Sequence, residues 1–207
     1  MGLVTAASAI AFLTTEMDDI LVLFVLFSRS NGKKENAAII SGKYLALMLL
    51  VASCKTASPS LLALPYEQLF GLLGILPIII GIRFAINEFS AESSGPSKKA
   101  GFKLLALTSI MLESLVIGLA NGGDSISVCA TFFSSLASSE FIISCAVFSL
   151  MQALWCVIAL SVINADSIHS YIEESKGVVV PALFVTLGLY ILVKSGSLVW
   201  LFSLGVD

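Results

Sequence analysis

Three carboxylates within four residues, Glu16, Asp18 and Asp19, stand in the middle of an otherwise apolar run. Gly2 to Leu13 carries no charge, and Ile20 to Phe27 reads Ile-Leu-Val-Leu-Phe-Val-Leu-Phe. No polar face is available to hold these acids, as the solvated side of a surface helix would. From Gly2 to Phe27 the run is long enough to cross a bilayer, which takes roughly 20 predominantly apolar residues. The acids then fall near mid-membrane, where a charge is costly and is usually kept for an ion or proton pathway.

The rest of the chain agrees. Only 12% of its 207 residues are charged, where an ordinary soluble domain has about 25%, and its mean hydropathy is +1.01. These values describe an integral membrane protein embedded in a lipid bilayer. No basic patch or stripe points to nucleic acid. The start, Met1-Gly-Leu-Val-Thr-Ala, lacks a positive n-region, so the first helix is expected to act as its own insertion signal. Cys54, Cys129, Cys145 and Cys156 show no C-x-x-C spacing, and His169 falls in a polar loop. The cysteines read as small apolar residues packed in helices rather than as a zinc site or disulfide framework.

Six apolar segments are predicted as membrane helices, near residues 2–28, 37–57, 66–89, 102–136, 140–163 and 178–203. Alternating strands of about ten residues, which a closed barrel needs, are absent. Lys and Arg set the orientation. Arg29, Lys33, Lys34, Lys43, Arg83, Lys98, Lys99, Lys103 and Lys176 lie in or beside the loops after spans one, three and five, against Lys55 and Lys194 on the other side. The positive-inside rule makes the first group cytoplasmic and puts both termini on the non-cytoplasmic side. The fourth segment is too long for one straight crossing and carries Asn121-Gly122-Gly123-Asp124-Ser125 in its middle. Adjacent glycines are poor helix interior, so a break is expected there.

The two halves echo each other. Glu16-x-x-Asp19 matches Asn121-x-x-Asp124, and Ile79-Ile80-Gly81-Ile82 resembles Thr186-Leu187-Gly188-Leu189. The expected fold is therefore all-α and polytopic: one membrane domain of two inverted three-helix repeats, 1–90 and 101–207, joined by a linker at 91–100. Helices one and four are expected to be broken at the acidic motifs. Inverted repeats are a common transporter plan, with the site where discontinuous helices meet.

Glu16, Asp18, Asp19, Glu113 and Asp124 all fall inside predicted spans, and no Lys or Arg is read inside those spans to neutralise them. Uncompensated acids in low dielectric favour binding protons or cations. Glu16 and Asp19 share a helix face, and so do Glu113 and Asp124 if their helix is continuous. Asp18 joins one pocket with Asp19 only if the helix is locally irregular. Converging oxygens suit a divalent cation, with the Asn121 amide and the Gly-Gly backbone as further donors. Met17 reads as packing, and Cys129 lies off the face of Asp124. The structural alternative is a set of protonated acids hydrogen-bonded to one another, a role that suits Glu113 best.

Thr14-Thr-Glu-Met-Asp-Asp-Ile20 resembles the Thr-Asn-Ile-Asp-Asp motif in the first helix of the cadmium-resistance transporter (CadD-type) family, within the lysine-exporter superfamily. Ala120-Asn-Gly-Gly-Asp-Ser-Ile126 is similar to that family's Ala-Asn-Gly-Gly-Asp-Asn-Ile. Leu72-Leu-Gly-Ile-Leu-Pro-Ile-Ile-Ile-Gly-Ile82 and Gly42-Lys-Tyr-Leu45 resemble its third- and second-helix patterns. The resemblance implies a six-helix exporter of divalent metal in a bacterial inner membrane, with Asp18, Asp19, Asn121 and Asp124 at the substrate site. Glu16 and Ser125 each replace an Asn of that pattern. An added carboxylate favours a harder ion such as manganese or calcium.

The expected function is secondary transport of a divalent metal ion in exchange for protons, with no cofactor beyond the transported cation. No nucleotide-binding loop accompanies it. Two alternatives are export of an amino acid or other small cationic solute, and a membrane-embedded metal-dependent hydrolase. The first would need a carboxylate-binding cation within the spans. The second lacks an H-E-x-x-H pair.

Overall fold

The computed structural model describes residues 1–30, 32–56, 71–90, 100–165 and 176–197. Every regular element among them is helical: α1 (Gly2–Thr15), α2 (Asp19–Ser28), α3 (Lys33–Thr56), α4 (Ile75–Ser90), α5 (Ala100–Gly122), α6 (Ile126–Ser135), α7 (Ser138–Ile163) and α8 (Lys176–Lys194). One 3-10 turn, Leu72–Gly74, leads into α4, and another, Gly123–Ser125, separates α5 from α6. The linker and the loop holding His169 lie outside the described residues.

Both expected breaks are present. The first apolar run stops being helical at Glu16 and resumes at Asp19. The fourth stops at Gly122, and α6 leaves at 84° to α5. A Cβ at Gly122 would strike Leu50 on α3, so glycine also lets the helix end lie close to its neighbour. In the sixth segment the helix from Lys176 ends at Lys194, and the expected end near 203 lies outside the described residues. A turn follows in which Gly196 takes φ +66°, a conformation glycine adopts at little cost.

By length and apolarity α3 and α7 can each cross a membrane, as can α5 and α6 taken together as one bent span. The shorter stretches Gly2–Thr15, Asp19–Ser28, Leu72–Arg83 and Val178–Lys194 are also apolar. The surface is inverted relative to a soluble protein. Ile10, Leu21, Met48, Ile142, Leu150 and Val157 face outward, while Ser8, Asp19, Lys43, Ser114, Asn121 and Gln152 are buried. A lipid solvent produces this pattern, because it hydrates no polar group and penalises no exposed hydrocarbon.

The packing crosses between halves. α3 lies on α5 and α6, α7 lies on α1 and α2, and α4 pairs with α8. Small residues let the backbones approach, as is usual where lipid gives no hydrophobic drive. A Cβ at Gly188 on α8 would run 3.0 Å from the Ile78 amide and closer still to the Gly74 carbonyl. Two apolar clusters result. One gathers Leu23, Leu26, Ile117 and Phe184; the other gathers Phe12, Leu50, Phe133 and Phe148, with Phe12 edge-on to Phe148 at 5.3 Å. Each broken helix feeds one cluster before its break and the other after it. Both breaks therefore sit at the boundary between the clusters.

Candidate functional site

A helix that stops inside a bilayer leaves carbonyls without partners, and in hydrocarbon these must be satisfied by protein. Two carbonyls at the first break are met from the second half of the chain, and that of Glu16 also accepts from the Asp19 amide. Ser125 Oγ donates to the Thr15 carbonyl at 2.8 Å, and Trp155 Nε1 donates to the Glu16 carbonyl at 2.9 Å. Asn121 Nδ2, at the end of α5, reaches Asp18 Oδ1 at 3.4 Å. The two breaks thus face each other and are tied together. The C-terminal ends of α1 and α5 and the N-terminal ends of α2 and α6 all lie at this junction, so partial charges of both signs meet there.

The expectation that no cation neutralises the acids is overturned. Lys43 Nζ donates to Asp19 Oδ1 in a buried ion pair, and Gln152 Nε2 donates to Asp19 Oδ2 at 3.1 Å. Lys194 Nζ donates to Asp18 Oδ2 in a more exposed pair. Arg29 grips Glu113 through both guanidinium nitrogens. Lys43, expected beside the loop that opens the second span, lies ten residues into α3, about 15 Å along the helix. Lys194, expected on the non-cytoplasmic side, ends α8 at the level of Asp18.

Asp18 meets Asn121 and Lys194, while Asp19, the next residue, meets Lys43 and Gln152. At Asp124 the backbone alone is described, and it lies in the 3-10 turn of the second break. Glu16 is 6% exposed, and its Oε1 has no hydrogen-bond partner among the described residues. It faces an internal cavity of ≈ 10 Å³ lined also by Lys43, Gly118 and Gln152. A second cavity of similar size lies against Asn121, Lys194 and Ser195. Glu113 is held away from the junction by Arg29, whose guanidinium also stacks over the Phe184 ring at 5.5 Å. Met17 is exposed rather than packed, because its place in the break turns it outward. Among the described residues no three acids, cysteines or histidines form a ready metal cage.

Sequence reasoning alone misses Lys43, Gln152, Trp155 and Lys194. A signal exists for two of them: Lys43 and Gln152 are polar residues inside apolar runs, the same anomaly that singles out the acids. The Arg29–Glu113 pair carries a prediction. Arg29→Gln strands a largely buried carboxylate and is expected to destabilise the protein by about 3 kcal/mol, as for other half-broken buried pairs. Arg29→Gln/Glu113→Gln, with no stranded charge, is expected to regain most of that in thermal unfolding of the detergent-solubilised protein.

An all-helical chain with an outward apolar surface, buried paired charges and helices able to cross a bilayer is an integral membrane protein. It belongs to the cadmium resistance transporter family, whose profile matches residues 12–204. The resemblance read from the four motifs is thereby established, and the family is one of transporters rather than enzymes. No curated protein and no solved structure matches the chain.

Proposed function

We propose that this protein exports divalent metal cations by proton antiport, through a site made by Asp18, Asp19, Asn121 and Asp124 where the two broken helices meet. The observation that carries the reading is the charge at this junction. Glu16, Asp18 and Asp19 supply three carboxylates there, Asp124, whose backbone lies in the second break, adds a fourth acid by sequence, and Lys43 and Lys194 supply two ammonium groups. The formal remainder of two negative charges is balanced by one divalent ion or by two protons, which makes exchange of the two electrically even. Glu113 is left out of the ligand set because its described partner is Arg29 and none of the described junction residues is bonded to it.

Alternating access between two inverted three-helix units is the motion we assign, and matching contacts support it. Tyr44 Oη donates to the Ser149 carbonyl, 105 residues away, and Asn121 meets Asp18, 103 away. Residues beside an internal twofold axis touch their counterparts or near neighbours of them: the first separation equals the 105-residue offset of Glu16 from Asn121, and the second falls two residues short of it. The bond between Ser8 and Ser144 also has a near match in Ser114 to Ile39, one residue from where the 105-residue shift would carry it. An inner-membrane location with both termini outside is kept in the proposal. The lysine and arginine bias survives once Lys43 and Lys194 are removed from the count.

Amino acid export regains one argument, since cations do lie within the membrane-spanning region. Lys43, Lys194 and Arg29 are all engaged by carboxylates, however, and the cavities at the junction admit about one water-sized sphere each. The test is flux into proteoliposomes across cadmium, manganese, zinc and calcium, with a pH dye inside. Metal movement with opposite proton movement is expected. Metal movement without protons would remove the coupling, and absence of any metal flux from folded protein would remove the reading in favour of solute export.

A further inference from the structure

We propose that the Lys43 ammonium is a tethered cation that moves from Asp19 to Glu16 when cargo arrives and returns when cargo leaves. The proposal rests on the metal-export reading and assigns Glu16 a place in it other than that of a ligand.

Three observations converge. Lys43 and Asp19 are 4% and 1% exposed, so the ammonium sits on the same carboxylate that the cargo must take. A divalent cation and an ammonium crowd one another on a single carboxylate, and one of them must leave. Glu16 Oε1 is buried without a partner among the described residues, a condition that native interiors rarely tolerate without a use for it. Glu16 and Lys43 line the same ≈ 10 Å³ cavity, so the idle acceptor and the displaced donor share one space.

α5 carries glycine where the lysine stem passes it. A Cβ at Gly118 would come within 3.2 Å of Lys43 Nζ and 3.5 Å of its Cδ, so the absent side chain gives the lysine stem room to swing. Lysine suits this movement, because a compact charge on four flexible methylenes can change partners without moving its helix. Gln152, already on Asp19 Oδ2 and lining the same cavity, can hold the carboxylate in place during the exchange. In the empty protein Asp19 is neutralised from within. In the loaded protein the ammonium is held by Glu16, so Glu16 raises cargo affinity without touching the cargo.

The test is calorimetric titration of Cd²⁺ into the purified full chain in detergent, for wild type, Glu16→Gln, Lys43→Gln and the double variant. Glu16→Gln, which removes no described hydrogen bond of Oε1, is expected to weaken Cd²⁺ about tenfold, the effect of losing one charge-assisted hydrogen bond. Lys43→Gln removes the competitor and is expected to tighten Cd²⁺. In that background Glu16→Gln is expected to change affinity by less than about twofold, since no ammonium remains to be received. An equal tenfold loss in both backgrounds would overturn the proposal and make Glu16 a direct ligand. No effect of Glu16→Gln in wild type would overturn it too. Absence of Cd²⁺ binding to folded wild type would instead remove the export reading, and the switch with it.

If Lys43→Gln fails to fold, infrared difference spectra of wild type and Glu16→Gln with ¹⁵N-labelled lysine decide the matter. Adding Cd²⁺ to wild type is expected to shift the ammonium bands of two lysines, Lys43 and Lys194, and adding it to Glu16→Gln is expected to shift one fewer. The same shifts in both would overturn the proposal.

Discussion

Asp19→Asn is expected to lower cadmium flux through reconstituted protein by more than about a hundredfold, beyond what losing a residue behind the ligands usually costs. Asparagine has the shape of aspartate but not its charge. Asp19 is 1% exposed, with Lys43 on one oxygen and Gln152 on the other. The substitution therefore does two things: it takes a charge from the proposed cargo site, and it leaves the Lys43 ammonium without its counter-charge in an apolar interior. Removing one partner of a buried pair costs about 3–5 kcal/mol, so the single variant mixes lost function with lost stability. Asp19→Asn/Lys43→Gln separates them. It buries no charge at this pair, and its thermal stability is expected to return close to that of wild type while flux stays lost. Wild-type flux in the double variant would remove Asp19 from the site.

Gly42→Val is expected to be the most damaging single change to the fold away from the charged groups. A Cβ at Gly42 would fall 2.8 Å from Ser114 Cβ and 3.0 Å from the Leu115 amide, and closer still to the Met111 carbonyl. These are mostly backbone atoms of α5, which cannot rotate aside as a side chain can. Ser114 Oγ also donates to the Ile39 carbonyl at 2.8 Å and holds α5 against α3. Overpacking of this kind costs typically 1–3 kcal/mol, and a branched residue against backbone is expected at about 3 kcal/mol. Because Lys43 is the next residue, any separation of α3 from α5 also disturbs its pairing with Asp19. Gly2→Val is the control, since nothing lies within 4 Å of a Cβ there. Equal melting temperatures for the two variants would mean that α3 and α5 do not approach as described.

The chain's sequence determines its class and the places where its helices fail. Charges inside an apolar run mark depth in the membrane, and depth makes them costly enough to imply use. Gly122-Gly123 lowers helix propensity where the second break falls, and the acids between Glu16 and Asp19 mark the first. Both are local properties, so they are readable along the chain. The partners of the acids are not local. Lys194 reaches Asp18 across 176 residues, Arg29 reaches Glu113 across 84, and Lys43 reaches Asp19 from the neighbouring helix. Periodicity tells which residues share a face of one helix, but not which face of another helix lies opposite. A site that reads along the chain as bare carboxylates became, through packing, one in which Asp18 and Asp19 are paired with lysines of the same chain, with Glu16 left lining the cavity beside them.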